Sequence, residues 1–400
     1  MPGRLAPPIH ARRTYFDPVP ELGELREKQP VSRIRMPWGM DAWLVTRYDD
    51  VRAVLGDPDT FDVDASSVSM IGVMQPEGSA ESDSSETPAE RAQAEALTHA
   101  KIRRLLLPEF TPRRTRQLAF RVAAFVDEHL DKLAHAGHPA DLIALFARPI
   151  PLLVICELVG VPKEDRTEFQ RWNTVRLDTT SDPRTKAEAT KRAHAHMSEL
   201  VARHRKQPGN GVLGRLVAEH GHEFDDATLT GLVDLLLLAG YESTASMIGL
   251  GVLLLLQNPE QRALVCDDET ADGAIEEILR YLTVGHTTMP RVARKNTVIG
   301  TTKIAAGDIV MCSLPGANRD PDFVEDPDRL DLTRGFNTHV SFGYGMHSCF
   351  GAPLARMQLR FAYRRLFERF PALRLAIPLA DVEFQTESIS YGILSLPVSW

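Results

Sequence analysis

The stretch Leu229–Leu256 is the most apolar in the chain and is long enough to cross a bilayer. Asp234, Glu242 and several small polar residues interrupt it, and such groups are costly in hydrocarbon. The better reading is a buried core helix, predicted to run unbroken from Asp226 until Asn258-Pro259 stops it. Such a helix requires a large interior. The chain supplies one: 400 residues, 43% of them hydrophobic and 25% charged, is ordinary globular composition.

The rest of the pattern is mostly helical. From Ala92 to about Arg205, Pro and Gly punctuate helical periodicity, and further helices are expected at about 270–282 and 352–370. Val31–Met36 and Ala42–Tyr48 read as paired strands about Pro37-Trp38-Gly39, with Asp49 or Asp50 capping the helix that follows. Short strands joined by Gly turns are expected between 290 and 314, and strand-like alternation returns after Leu373. Residues 75–90 are acidic and Ser-rich and read as a loop. There is no internal repeat and no strong linker. The expectation is a single mainly α domain over 1–400. Its helical body covers about 92–282 and 352–370, and small peripheral sheets lie at about 31–48, 290–314 and 373–400.

Composition narrows function. A net charge of -8 gives no bulk attraction to nucleic acid. The N-terminal residues lack the apolar core of a signal peptide or an anchor, so a cytoplasmic protein with no membrane contact is expected. Of the cysteines Cys156, Cys266, Cys312 and Cys349, no two have metal or redox spacing, and a disulfide framework is not expected.

Cys349 has distinctive neighbours. Residues 342–351 read Phe-Gly-Tyr-Gly-Met-His-Ser-Cys-Phe-Gly. Gly343 and Gly345 permit backbone geometry that other residues strain, and a helix is predicted to begin near Ala352. A cysteine just before a helix meets free amides and the positive end of the dipole, which favour a thiolate. A tight loop presenting a thiolate suits a large flat cofactor. A Gly-rich turn with an incidental cysteine is the other reading, and zinc is disfavoured because no second ligand lies at the usual spacing.

This window resembles the haem-binding signature of cytochromes P450, Phe-x-x-Gly-x-x-x-Cys-x-Gly. The resemblance extends in the expected order from about Asp41 to Trp400. It implies the cytochrome P450 fold, with a long central helix crossing haem b, and Cys349 as axial ligand of the iron. Phe342, Gly343, His347 and Gly351 then belong to the cofactor site. Ala239-Gly240-Tyr241-Glu242-Ser243-Thr244 resembles the oxygen-activation motif Ala-Gly-x-Glu/Asp-Thr. Ala239 and Gly240 leave room for haem, and Glu242, Ser243 and Thr244 handle protons. Ser243 stands where threonine is usual; it keeps the hydroxyl but loses the methyl group that restricts χ1. Glu277 and Arg280 resemble the Glu-x-x-Arg element, with Arg329 in Asp328-Arg329-Leu330 as the third, structural member. His99, Arg103, Arg291 and His347 match positions that hold the haem propionates. Glu95-Ala96-Leu97-Thr98 departs from the acidic-Pro-Pro-Glu run usual before that histidine.

The resemblance also implies an activity. A monooxygenase would use O2 and two electrons to hydroxylate or epoxidise a bulky hydrophobic small molecule. A secondary metabolite of polyketide, terpenoid, peptide or steroid-like type is expected. Tyr241, Val284, Gly285, His286, Thr287, Ile389 and Ser390 are the pocket candidates, with regional matches at about 65–90 and 170–195. His286 reads first as solvated or packed. Electrons would come from an NAD(P)H-dependent ferredoxin reductase and its ferredoxin, docking a monomer. Two basic groups are candidate docking faces: Arg103, Arg104, Arg113, Arg114 and Arg116, and Arg356, Arg360, Arg364 and Arg365. Two alternatives stay open: oxidative coupling, desaturation or rearrangement without oxygen insertion, and haem binding without turnover.

Overall fold

The computed structural model describes residues 7–36, 41–63, 103–177, 181–386, 388 and 390–400. Its body is helical. Pro112–Ala136, Pro149–Val159, Arg166–Leu177 and Pro183–Lys206 precede the central apolar run, and Ala271–Leu282 and Ala352–Arg369 follow it. The central run forms two helices, Asp226–Ala239 and Glu242–Gln257, rather than the single helix expected. The two are joined by a two-residue turn that stays in the right-handed helical region: Gly240 N–H donates to Leu236 O at 3.0 Å, and Tyr241, at φ -99°, ψ -69°, accepts from Ala245 N–H at 3.1 Å, so the run continues along one path. Ile155 presses so closely on Gly240 that a Cβ there would lie 2.7 Å from its Cδ1. The run passes a length-and-composition test for a membrane span, yet 78% of its most apolar window is buried inside the protein. Leu250, Leu253 and Leu255 sit in the same core as Leu359 and Leu366 of the C-terminal helix.

The largest sheet takes its strands from distant parts of the chain. Its order is Val31–Arg35, Asp41–Val45, Ile309–Cys312, Arg291–Ala293 and Phe61–Asp62. Only the Asp41–Val45 and Ile309–Cys312 pair is parallel. A second sheet brings Ala140–Asp141 beside Pro397–Ser399. A hairpin of Phe384–Gln385 and Gly392–Ile393 leans on the helix Glu242–Gln257. Gly392 permits that approach, since a Cβ there would stand 2.6 Å from Ser246 Oγ.

The expected aspartate cap is replaced by a distant one. The helix Tyr48–Gly56 starts before Asp49 and Asp50, and Tyr48 N–H donates to Asp320 Oδ2 at 2.8 Å.

Candidate functional site

The cysteine loop is closed by its own backbone. Gly343 N–H donates to Val340 O and Cys349 N–H to Phe342 O, each at 2.8 Å. Gly343 and Gly345 adopt φ of +71° and +72°, which disfavours any side chain. At Gly345 a Cβ would also collide with Leu55 O at 2.5 Å. The loop ends where Ala352–Arg369 begins, and the N–H groups of Gly351 and Ala352 donate to the Cys349 sulfur. Burial pushes the Cys349 thiol above its ordinary pKa. Those amides and the charges of Arg103 and Arg356 pull it down against the desolvation of the sulfur by the surrounding loop, although the residue itself opens onto solvent. The expected amides are therefore present at the sulfur, and direct coordination to a metal cation would favour the thiolate further. Cys349 lies on an open cavity of about 730 Å³, whose lining includes Arg103, Leu107, Phe110, Met346 and Phe350.

Arg291 opens its strand and is 2% exposed, with Nη1 lacking a hydrogen-bond partner. Burial holds its pKa below the usual guanidinium value. An unmatched buried cation of this kind suits an anionic group such as a propionate. Arg103 lies on the cysteine loop, with Nη1 donating to Ser348 O at 2.9 Å and Nη2 to Ser348 Oγ at 3.3 Å. His347 is half-buried in the turn Gly345–His347 and has a partner. His99 and Ile389 lie outside the described residues, as do residues 65–90. A sulfur donor on a tight loop and an orphaned buried guanidinium fit haem.

Beneath the loop, Glu277 and Arg280 form a fully buried bidentate pair, with Nε–Oε2 at 2.7 Å and Nη2–Oε1 at 2.8 Å. Arg280 Nη1 also donates to Asn318 O and Pro327 O, both at 2.8 Å. The third member is not the one expected. Arg329 points to the surface, 69% exposed beside Asp331, and offers only its carbonyl to Arg280. Arg334 takes the place instead, its Nε 3.2 Å from Glu277 Oε1. The turn through Asp331, whose N–H also reaches Glu277 Oε1, carries Arg334 inward. Spacing from Asp328-Arg329-Leu330 gave no sign of that turn.

On the central run, Glu242 is 8% exposed. Its Oε1 accepts from Gln385 Nε2 at 2.8 Å and Ser388 Oγ at 2.5 Å, while Oε2 is buried without a partner. Burial raises its carboxyl above the ordinary value, against the hydrogen bonds of Ser388 and Gln385 and the charge of Arg148. Ser243 Oγ donates to Ala239 O at 3.4 Å, and Thr244 is buried. Tyr241 is buried, with its hydroxyl bonded to Thr174 of the helix Arg166–Leu177. That helix is clamped to the central run by Arg176, whose two Nη atoms reach the Asp234 carboxylate at 2.6 Å. Asp234, read only as an interruption, is thus a partner.

The segment 284–287 packs against the C-terminal turn. Gly285 bridges Ser390, Thr287 bridges Ser313, and Tyr391 N–H donates to Val284 O at 2.8 Å. His286 is packed rather than solvated: it is 5% exposed, neither ring nitrogen has a partner, and burial pushes its pKa down to about 3. Sequence reasoning missed Arg334, Gln385, Ser388 and the Arg176–Asp234 clamp. Each is defined by a partner far away in the chain.

The fold and this site fit a haem-binding class of protein. The family profile "Cytochrome P450" matches residues 269–393. Cytochrome P450 165B3 of Amycolatopsis orientalis is 39% identical over 98% of this chain and 98% of its own length. The mycinamicin IV hydroxylase/epoxidase of Micromonospora griseorubida is 39% identical over 94% of each chain. Among solved structures, OxyC, a cytochrome P450 implicated in an oxidative C–C coupling reaction during vancomycin biosynthesis, superposes with a TM-score of 0.85. It is 36% identical, covering 97% of this chain and 95% of that one. The chain belongs to the cytochrome P450 family, a monooxygenase that binds haem b.

Proposed function

We propose that this enzyme hydroxylates or epoxidises a bulky hydrophobic secondary metabolite in the cytoplasm, with electrons from a ferredoxin and its NAD(P)H-dependent reductase. Cys349 would hold the haem iron through its sulfur, and Arg291, Arg103, His347 and His99 would hold the propionates. Ala239 and Gly240 leave space over the cofactor, while Glu242, Ser243 and Thr244 handle protons. When bound, haem supplies reductive cleavage of O2, one atom leaving as water and the other passing to substrate. The residues of this chain do the rest. Glu277, Arg280 and Arg334 fix the loop that presents Cys349, and burial raises the Glu242 carboxyl, which favours its carrying a proton.

The observation that carries this reading is the pairing of a helix-capped sulfur at Cys349 with the orphaned guanidinium of Arg291. The reduced, carbon monoxide-bound protein should show a red-shifted Soret band, which Cys349→Ala or Cys349→His abolishes. Absence of that band in folded, haem-loaded wild type would sink the ligand assignment. A reconstituted reaction under labelled O2 tests the chemistry: the product should gain one labelled oxygen.

The likeness to OxyC supports a second reading, oxidative coupling without oxygen insertion. A product lighter by two hydrogens and free of label would favour it. For docking, Arg104, Arg113 and Arg116 form no ion pair among the described residues and remain the better face. Arg356, Arg360, Arg364 and Arg365 are occupied by Glu276, by Asp268 and Asp272, by Asp268 and Glu368, and by Asp127.

A further inference from the structure

We propose that Gln385 and Ser388 are positioning residues for proton delivery by Glu242, so that the C-terminal hairpin and its turn govern the acid on the central run. This rests on the reading of Glu242 as the proton-handling acid.

The geometry divides the Glu242 carboxyl into two unlike oxygens. Oε1 receives both donors, Gln385 Nε2 at 2.8 Å and Ser388 Oγ at 2.5 Å. Oε2 is buried with no partner among the described residues. A bare carboxylate oxygen in such a place is costly, so the proton belongs on Oε2. The two donors on Oε1 stabilise the ionised form. They keep burial from locking the acid neutral, and so leave it able to release the Oε2 proton. The released proton is one of the two consumed when one oxygen atom of O2 leaves as water, and the carboxylate regains one from solvent. Arg148 is the charged group facing Glu242 from the junction before Pro149–Val159, and the Tyr241 phenol is its neighbour in the chain.

The hairpin that supplies these donors is held from two sides. Gly392 lets it press on Ser246 of the central run. Tyr391 donates to Val284 O and Ser390 bridges Gly285, both in the proposed pocket wall. Tyr391 also stacks on Phe384 at 5.6 Å between centroids, bracing the strand that carries Gln385. A ligand that displaces this wall therefore acts within two residues of Ser388.

The test uses the holoenzyme and pH-dependent infrared difference spectra. A protonated-carboxyl band lost in Glu242→Gln identifies the acid. In Ser388→Ala and in Gln385→Leu its titration should move to higher pH by about one unit, because each variant removes a donor to the charged form. Ser388→Thr should restore it. With ferredoxin and reductase, peroxide formed per NAD(P)H should rise several-fold in Ser388→Ala. If that variant does not fold, Gln385→Leu decides. A Glu242 band that titrates at the wild-type pH in the folded donor variants overturns the proposal. Failure of the underlying reading looks different: Glu242→Gln would then leave peroxide yield and the solvent isotope effect unchanged, wherever the band lies.

Discussion

Arg291 shows how a single residue reports on what a protein binds. Leaving a buried donor unsatisfied costs about 1–3 kcal/mol, and Arg291 bears that cost at Nη1. Arg291→Met should therefore melt no lower than wild type in the haem-free protein, yet lose haem faster to a scavenger globin. Equal rates of haem loss would remove Arg291 from the propionate set. Arg329 and Arg334 give a second contrast. Arg329→Ala should stay within about 0.5 kcal/mol of wild type in denaturant unfolding. Arg334→Ala should cost about 1–3 kcal/mol, since it strips a partner from a buried carboxylate. Truncating Glu277 itself should cost about 3–5 kcal/mol, because Arg280 is left charged and buried. At residue 243, replacing serine by threonine should lower peroxide leak by restricting the hydroxyl rotor.

At the scale of elements, side chains from one segment finish another. The helix Ala271–Leu282 offers Glu276 to His339 at 3.2 Å and to Arg356 at 2.5 Å. Burial by itself pushes the Glu276 carboxyl up; the two hydrogen bonds and the charge of Arg356, with the His339 ring close by, outweigh it and hold the pKa at about 2. A carboxylate with a depressed folded pKa stabilises the fold above its ordinary value of 4.5, and this contribution is lost as pH falls towards 2. Wild type should therefore lose more stability than Glu276→Gln across that window, as read by urea midpoints. Parallel losses would show that the network is not linked to protons. The distant cap works similarly: Asp320→Ala should cost about 1 kcal/mol by exposing the start of Tyr48–Gly56.

Across the whole molecule, charge separates two arginine groups that look alike in sequence. Arg356, Arg360, Arg364 and Arg365 tie the C-terminal helix to Glu276, Asp268, Asp272 and Asp127. Arg113 and Arg116 have no such partners among the described residues. Reversing Arg113 and Arg116 to glutamate should slow reduction by ferredoxin, and the gap from wild type should shrink at high salt as screening grows. Reversing Arg360 and Arg364 should instead lower stability. Unchanged reduction kinetics in the Arg113/Arg116 variant would remove that face from docking.

Local chemistry was legible in the residues themselves. The glycines around Cys349, the helix after it, the Glu277–Arg280 spacing and the acid at 242 are all set by neighbours a few positions away, where backbone geometry is nearly fixed. The central apolar run was legible as a core element because its composition leaves no face for water. The close approach of Ile155 to Gly240 was not, since it comes from another helix. Nor were the choice of Arg334 over Arg329, the cap from Asp320, or the grip of Gln385 and Ser388 on Glu242. Each depends on which distant groups meet in a dry interior, where an unpaired charge or amide is costly enough to decide the partner. By itself the sequence determined the cysteine loop and the family. Only the tertiary structure decided which residues hold that loop and the acid in place, because burial assigns those partners and burial is a property of the folded chain.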